Sequence, residues 1–515
     1  MPERVRRVSR LAASVTLLAM VSLEPVRADA WLDAGDATLR HHLQFLVDTN
    51  VIDLPLTAWP IPAADVAAAI SRLENRDKLA APQQAALSHV ERKIADLKRN
   101  SMRLTAHAAG AARPVEVRTF ENTPREEGEL GGSLTMEGSR FSARLAVSGV
   151  SDPEDHQPVR LDGTYGTVRL GNWLVTAGAL DRWWGAGWDG SLILSNNARP
   201  IPAISLDRES SQPFESPWLS WIGSWRVSTF MGHMETERED RDHPLFFGMR
   251  VTFRPFSEIE IGNVKPLDGI EFSLERTAQW CAEGLPCGTE AFWNVLAGND
   301  NEGETVDPED EPGNQLAGWS LRYASPWKYL PLAYYRQKIG ETIDLDSPLP
   351  RRTLDLHGLE YWGGNSSGYT WRVHAEYADT ACSAAAGQEI PAFDCAYNNA
   401  LFPVEGYRYR GRVIGHSLDG DGISRTLGVM VTTPRNWGMS LLVRSADVNR
   451  GGSVPDDRHT VSTGPVDLRN IEVAISIATD RGSWGIGAGL DETDDPAAAR
   501  QERNARGFAE WRIHF

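Results

Sequence analysis

The chain has 515 residues, with 52 basic against 70 acidic side chains, a formal net charge of −18 and 4 cysteines. So acidic a chain offers no basic face for phosphate, which excludes nucleic acid as a partner. Beyond the first thirty residues no stretch is apolar for long enough to span a bilayer as a helix, but a transmembrane barrel is apolar only at alternate positions and stays open.

Residues 1–30 read as a secretory signal peptide. Arg4, Arg6, Arg7 and Arg10 lead an apolar core, LAASVTLLAMVSL, and Ala28-Asp29-Ala30 supplies the small residues of a cleavage site. The mature chain is therefore expected to begin at Trp31. From there to residue 103 the period is helical. In DATLRHHLQFLVDTN, Leu39, Leu43, Leu46 and Val47 share a face after a capping Asp36; Val66, Ile70 and Leu73 do so next, and Leu87, Val90, Ile94 and Leu97 follow Pro82. Three helices joined by LPLTAWPIP predict a small helical bundle over 31–103.

From Leu104 to the end the period is two. Tyr369, Trp371, Val373, Ala375 and Tyr377 alternate with Thr370, Arg372, His374 and Glu376, and LFFGMRVTFR and NIEVAISIA repeat the pattern. Charges and glycines on one face, with aromatics at the ends of the other, predict a transmembrane antiparallel β-barrel over 104–515 rather than a soluble sandwich. The terminus GFAEWRIHF places Trp511, Ile513 and Phe515 at alternating positions, resembling the final-strand signal read by outer-membrane barrel assembly machinery. At roughly 10 residues per strand plus turns, the region accommodates about 16 to 18 strands.

Long polar inserts are expected loops: Ala297–Asn314, Cys382–Cys395 and Ser445–Gly464. In an exported chain the local pairs Cys281/Cys287 and Cys382/Cys395 read as disulfides. The acidic first insert lacks the spacing of a calcium loop, and SLDGDGIS reads as a tight Asp-Gly turn between strands, so no metal and no cofactor is expected. GHSLDG is not a nucleophile elbow, and no metalloprotease, phosphate-loop or dinucleotide motif occurs.

The densest chemistry is DRWWGAGWDGSLILSNNAR. Trp183, Trp184, Trp188, Asp189, Asn196, Asn197 and Arg199 combine indole faces, on which sugar rings stack, with amide, carboxylate and guanidinium groups that bind hydroxyls. They are carbohydrate-binding candidates; the competing reading has the rings filling a lumen, its rim or an interface belt. The segment reads as a Gly-rich strand-and-turn element of the barrel, with adjacent Trp183 and Trp184 on opposite faces, one toward lipid or neighbouring groups and one inward.

RWWGAGWDGSLILSNNARPIPAISL, with SWRVSTFMGHME, PLFFGMRVTFRP and the N-terminal GDATLRHHLQFLVDTNVIDLPLTAWPIP, resembles the Wzi capsule-assembly family of outer-membrane proteins. The resemblance implies an 18-stranded barrel with a periplasmic helical bundle, acting without catalysis as a surface lectin that helps attach exported capsular or other exopolysaccharide. Expected partners are that polymer, outer-membrane lipid, the barrel assembly machinery and polysaccharide export proteins, with the chain a monomer. Two other functions compete: a porin or sugar channel, which needs an open lumen, and a surface glycoside hydrolase, which needs two carboxylates facing a cleft.

Overall fold

The computed structural model describes residues 31–515 except 99–101, 258, 263, 298–312, 345–346, 384–392, 399–401, 403, 453–458 and 480. The expected signal peptide and most of the acidic insert therefore lie outside the described residues. Eighteen antiparallel strands close into one barrel. They are β1 Met102–Ala112, β2 Gly128–Glu137, β3 Phe141–Ser151, an interrupted β4 (Val159–Arg160 and Tyr165–Leu170), β5 Trp173–Gly178 and β6 Ala203–Arg208. Next come β7 Trp225–His233, β8 Leu245–Phe253, β9 Ile270–Trp280, β10 Gly313–Ala324, β11 Leu332–Asp344 and β12 Ser347–Gly364. The last are β13 Thr370–Asp379, β14 Ile423–Thr432, β15 Trp437–Val448, β16 Val466–Thr479, β17 Gly482–Asp495 and β18 Arg500–His514. β18 pairs back onto β1, with Thr105 opposite His514, so the sheet has no open edge.

The alternation that predicts the strands also sets their faces. On β13, Thr370, Arg372, His374 and Glu376 are buried inward, whereas Trp371, Val373, Ala375 and Tyr377 point out. Outward Ile471, Val473 and Ile475 of β16 are likewise exposed, a surface that lipid covers. Trp511, Ile513 and Phe515 lie on this outer face; Trp511 stacks on Trp484 at 5.5 Å, and the Phe515 N–H donates to the Leu104 carbonyl at 2.9 Å. Ser445 to Val448, read from sequence as loop, belongs to β15, because their pairing with β16 continues to Val448↔Val466.

Short turns at 171–172 and 433–436 mark one end of the barrel and long connections at 179–202 and 380–422 the other. In outer-membrane barrels the short turns are periplasmic and the long loops external. The periplasmic mouth is occupied by helices α1 Ala37–Asp48, α2 Ala63–Ser71 and α3 Ala81–Lys98. Asp36 caps α1, accepting from the Leu39 N–H at 2.9 Å. Sequence periodicity gives α1 one apolar face, yet Arg40, His41, His42 and Gln44 are buried as well. The reason is tertiary: α1 sits inside the mouth, and its polar face meets the barrel wall, with His41 Nε2 2.8 Å from Thr370 Oγ1.

Candidate functional site

The lumen is filled from both ends. From the periplasmic side, Ala58–Trp59 enters and pairs antiparallel with Trp183–Trp184, Trp59 opposite Trp183. From the outer side, residues 179–202 leave β5 and return to the adjacent β6, folding inward as they do so. DRWWGAGWDG is therefore not part of the barrel wall, as the sequence suggested, but the centre of a plug. Trp183, Trp184 and Trp188 are 0%, 1% and 5% exposed, and neither of the adjacent pair reaches lipid. Trp183 meets Phe120 edge-on at 5.3 Å, and Phe120 meets Trp59 at 5.4 Å. Trp184 turns the other way, onto Phe230 of the wall at 5.6 Å.

Around Trp188 the charged side chains are tied to protein groups. The Arg40 guanidinium lies 4.4 Å from the Phe120 ring centre and 4.2 Å from that of Trp188, and donates to the Gly187 and Ala186 carbonyls at 2.8 and 2.7 Å. Glu376 accepts from the Trp188 and Gly190 N–H groups at 2.9 and 2.7 Å and from the Tyr335 hydroxyl at 2.6 Å. Asp189 is clamped by Arg444 and accepts from Thr426 Oγ1 at 2.7 Å. The glycines permit this closeness: a Cβ on Gly187 would lie 2.1 Å from the Gly190 carbonyl oxygen, and one on Gly190 would lie 2.0 Å from His416 Nε2.

The remaining candidates are also internal ties. Asn196 donates to the Phe120 carbonyl and Asn197 to the Val413 carbonyl, both at 3.0 Å. Arg199 forms a fork on Asp162 at 2.8 Å and a second pair with Asp155 at 2.5 Å. The side-chain groups that made the segment look like a sugar platform therefore hold the plug together, and no ring face of the three tryptophans is open to a ligand.

Asp189, Glu376 and His416 place one potential metal-ligand atom each within 4.8 Å of one another. The donors argue against a cation. Arg444 already balances Asp189, and the lone pair of His416 Nδ1 is already used by the Leu418 N–H at 3.1 Å.

A cap of outer loops rests on this plug. Tyr397 and Tyr407 donate their hydroxyls to the Leu192 and Ile193 carbonyls at 2.7 and 2.8 Å, and the Ser195 N–H reaches the Ile414 carbonyl at 2.9 Å. SLDGDGIS, read as a tight turn between strands, is a buried part of this cap, with Asp419 paired to Arg408 at 2.6 Å. The disulfides Cys281–Cys287 and Cys382–Cys395, with Cα–Cα distances of 4.5 and 5.9 Å, close local loops at the same outer end.

The cap carries a hairpin, Arg408–Tyr409 paired with Arg412–Val413, whose turn is Arg410–Gly411. Gly411 has φ +75° and nothing within 4 Å of a Cβ placed on it, so the tip projects into open space. Arg410 lies beside the Tyr409 ring at 5.3 Å, and Arg412 forms a fork on Glu154, which is 65% exposed. Arg412 itself is only 17% exposed and also donates to the Glu116 carbonyl, so Glu154 is the solvent-facing member of the pair. Sequence reading passed over these arginines; the signal available was the alternation of Arg with Tyr and the turn glycine in YRYRGRV.

Residues 98–505 match the family described as capsule assembly protein Wzi. An uncharacterized 55.8 kDa protein in the cps region of Klebsiella pneumoniae is 28% identical over 373 residues, 72% of this chain and 69% of that one. Among solved structures, Wzi of Escherichia coli, described as an outer-membrane, carbohydrate-binding β-barrel involved in group 1 capsule assembly, superposes with a TM-score of 0.76. It is 23% identical, and the match covers 94% of this chain and 100% of that one.

Proposed function

The chain belongs to the Wzi capsule-assembly family, and from that premise we propose that it is an outer-membrane barrel that binds exported capsular or other exopolysaccharide at its outer face and assists its attachment. The observation that carries this reading is the filled lumen: periplasmic and outer segments pair at Trp59 and Trp183 inside the barrel. A polymer met from outside is held at the cap rather than passed through. A porin or sugar channel would need the space that Arg40, Trp183, Trp184 and Trp188 occupy.

The binding is lectin-like and non-enzymatic. A glycosidase needs its two carboxylates to face a substrate, whereas Asp189 and Glu376 are enclosed and bound to Arg444, Tyr335 and backbone donors. At the cap, Arg410 and Arg412 suit acidic sugars: a guanidinium forms two parallel bonds to a uronate carboxylate. Trp183, Trp184 and Trp188 serve packing, so the contact to polymer moves outward from the residues that the sequence singles out. Outward Trp511, Ile513 and Phe515 support recognition by the barrel assembly machinery; the chain works as a monomer, beside the polysaccharide export proteins.

The test is where the polymer goes. Deleting the gene should move surface polysaccharide from the cells into the medium while leaving the total made unchanged. Undiminished cell-associated polymer would sink the attachment role.

A further inference from the structure

A fourth helix lies where a barrel normally shows only lipid-facing side chains. On β9 the lumen-facing residues are identified by their partners: Glu271 accepts from the Thr57 N–H, and Thr277 Oγ1 contacts the Tyr407 hydroxyl. The alternate set, Phe272, Leu274, Arg276, Ala278 and Trp280, therefore faces outward. Leu274 is 53% exposed, as a lipid-facing residue should be, but Ala278 and the neighbouring outward Phe247 of β8 are 0% and 4% exposed.

What covers them is α4, Thr289–Ala297. Beyond Trp280 the chain reverses through the Cys281–Cys287 loop and lays α4 against the outside of the wall. Ala291 and Val295 are buried on that wall, and Phe292 meets Phe247 edge-on at 5.6 Å and Trp280 at 5.5 Å. The helix also covers a charge. Arg276 faces outward, bonds Gln315 of β10 and donates to the Leu296 carbonyl, an end carbonyl of α4, at 3.2 Å.

The opposite face of α4 exposes Glu290, Trp293 and Asn294, with Trp293 63% exposed. One indole between polar side chains is the composition of an interfacial helix, not of a span. Arg276 lies four residues below the outer end of β9, about 13 Å along a tilted strand and roughly 9 Å in height, so without α4 its guanidinium would meet lipid.

We propose that α4 is an interfacial helix resting on the outer leaflet, with Trp293 in the lipid headgroup region and Arg276 sealed behind it. The occupant of the exposed face is lipid, because that face continues the lipid-facing rows of β8 and β9. The inference rests on the barrel spanning a membrane but not on polysaccharide binding.

The test uses the full chain in vesicles of phosphatidylcholine with phosphatidylglycerol. Spin labels are placed singly at Trp293→Cys, at Leu274→Cys as a lipid reference and at Gly411→Cys as a water reference. Collision with oxygen, which partitions into lipid, is compared with collision with an aqueous nickel chelate. The label at 293 should favour oxygen several-fold over the label at 411. A water-like label at 293 beside a lipid-like label at 274 overturns the proposal. Water-like labels at both overturn the membrane placement and the proposal with it. If the cysteine disturbs the nearby disulfide, quenching of intrinsic fluorescence by brominated lipid in wild type against Trp293→Phe gives the same decision: a smaller quenched fraction in the variant supports the contact and equal quenching refutes it.

Discussion

Replacing Asp48 by Ala should loosen the N-terminal segment without unfolding the barrel. Asp48 ends α1, where the helix dipole disfavours a negative charge. It is held there by two wall arginines: Arg322 at 2.8 Å and Arg372 at 2.8 Å, both also bound to Glu360. All four side chains are buried, so removing one carboxylate leaves two guanidinium groups sharing a single partner. Breaking a buried pair from one side costs about 3–5 kcal/mol, and Glu360, which keeps both arginines, sets the expectation at the lower end. At about 1.4 kcal/mol per tenfold, the opening equilibrium of α1 rises by roughly 10²-fold or more. Hydrogen exchange of the α1 amides reads that equilibrium directly, because they exchange when the helix undocks. Exchange in α1 should accelerate by that factor while β13 and β16 stay protected. Unchanged α1 exchange in Asp48→Ala would refute the clamp.

Acidification should act on the same segment. Burial, then the neighbouring His89 and His41, hold the His42 imidazole well below its ordinary 6.5. The undocked segment thus takes a proton that the docked one refuses, so docking is complete above about pH 6.5 and weakens as the pH falls below it. α1 exchange corrected for intrinsic rate should rise between about pH 7.5 and about 5.5, and His42→Gln should flatten the rise. Trp183→Ala should cost about 3–5 kcal/mol of folding stability, read as a lower unfolding midpoint in detergent, with polymer binding intact in the fraction that folds; lost binding by a normally stable variant would restore the tryptophan to the ligand site. Wild-type protein in planar bilayers should give no steady conductance, and a porin-like open current would contradict the filled lumen.

The wall was legible from sequence because its cause is local. Alternation in YTWRVHAEY and NIEVAISIA fixes which side chains face lipid; β13 follows the first within two residues at each end, and β16 starts four residues before the second. Asp36 was legible as a cap for the same reason. The plug was not, because its partners are remote: Trp183 pairs with Trp59, and Asn197 bonds a carbonyl 216 positions away. Asp189, Asn196 and Asn197 have the chemistry of sugar ligands, and a buried backbone asks for the same donors and acceptors. Sequence could place these groups together but could not say that protein, rather than glycan, satisfies them. The position of α4 escaped for a related reason, since an apolar helix face does not reveal whether it covers the inside or the outside of a barrel.

The most direct test of the account is binding of the cell's own surface polysaccharide by the purified, folded barrel, wild type against Arg410→Glu with Arg412→Glu. Wild type should bind and the charge-reversed cap should not, while heat-modifiable migration in detergent gels stays the same in both. Equal binding by the two proteins would contradict recognition at the cap.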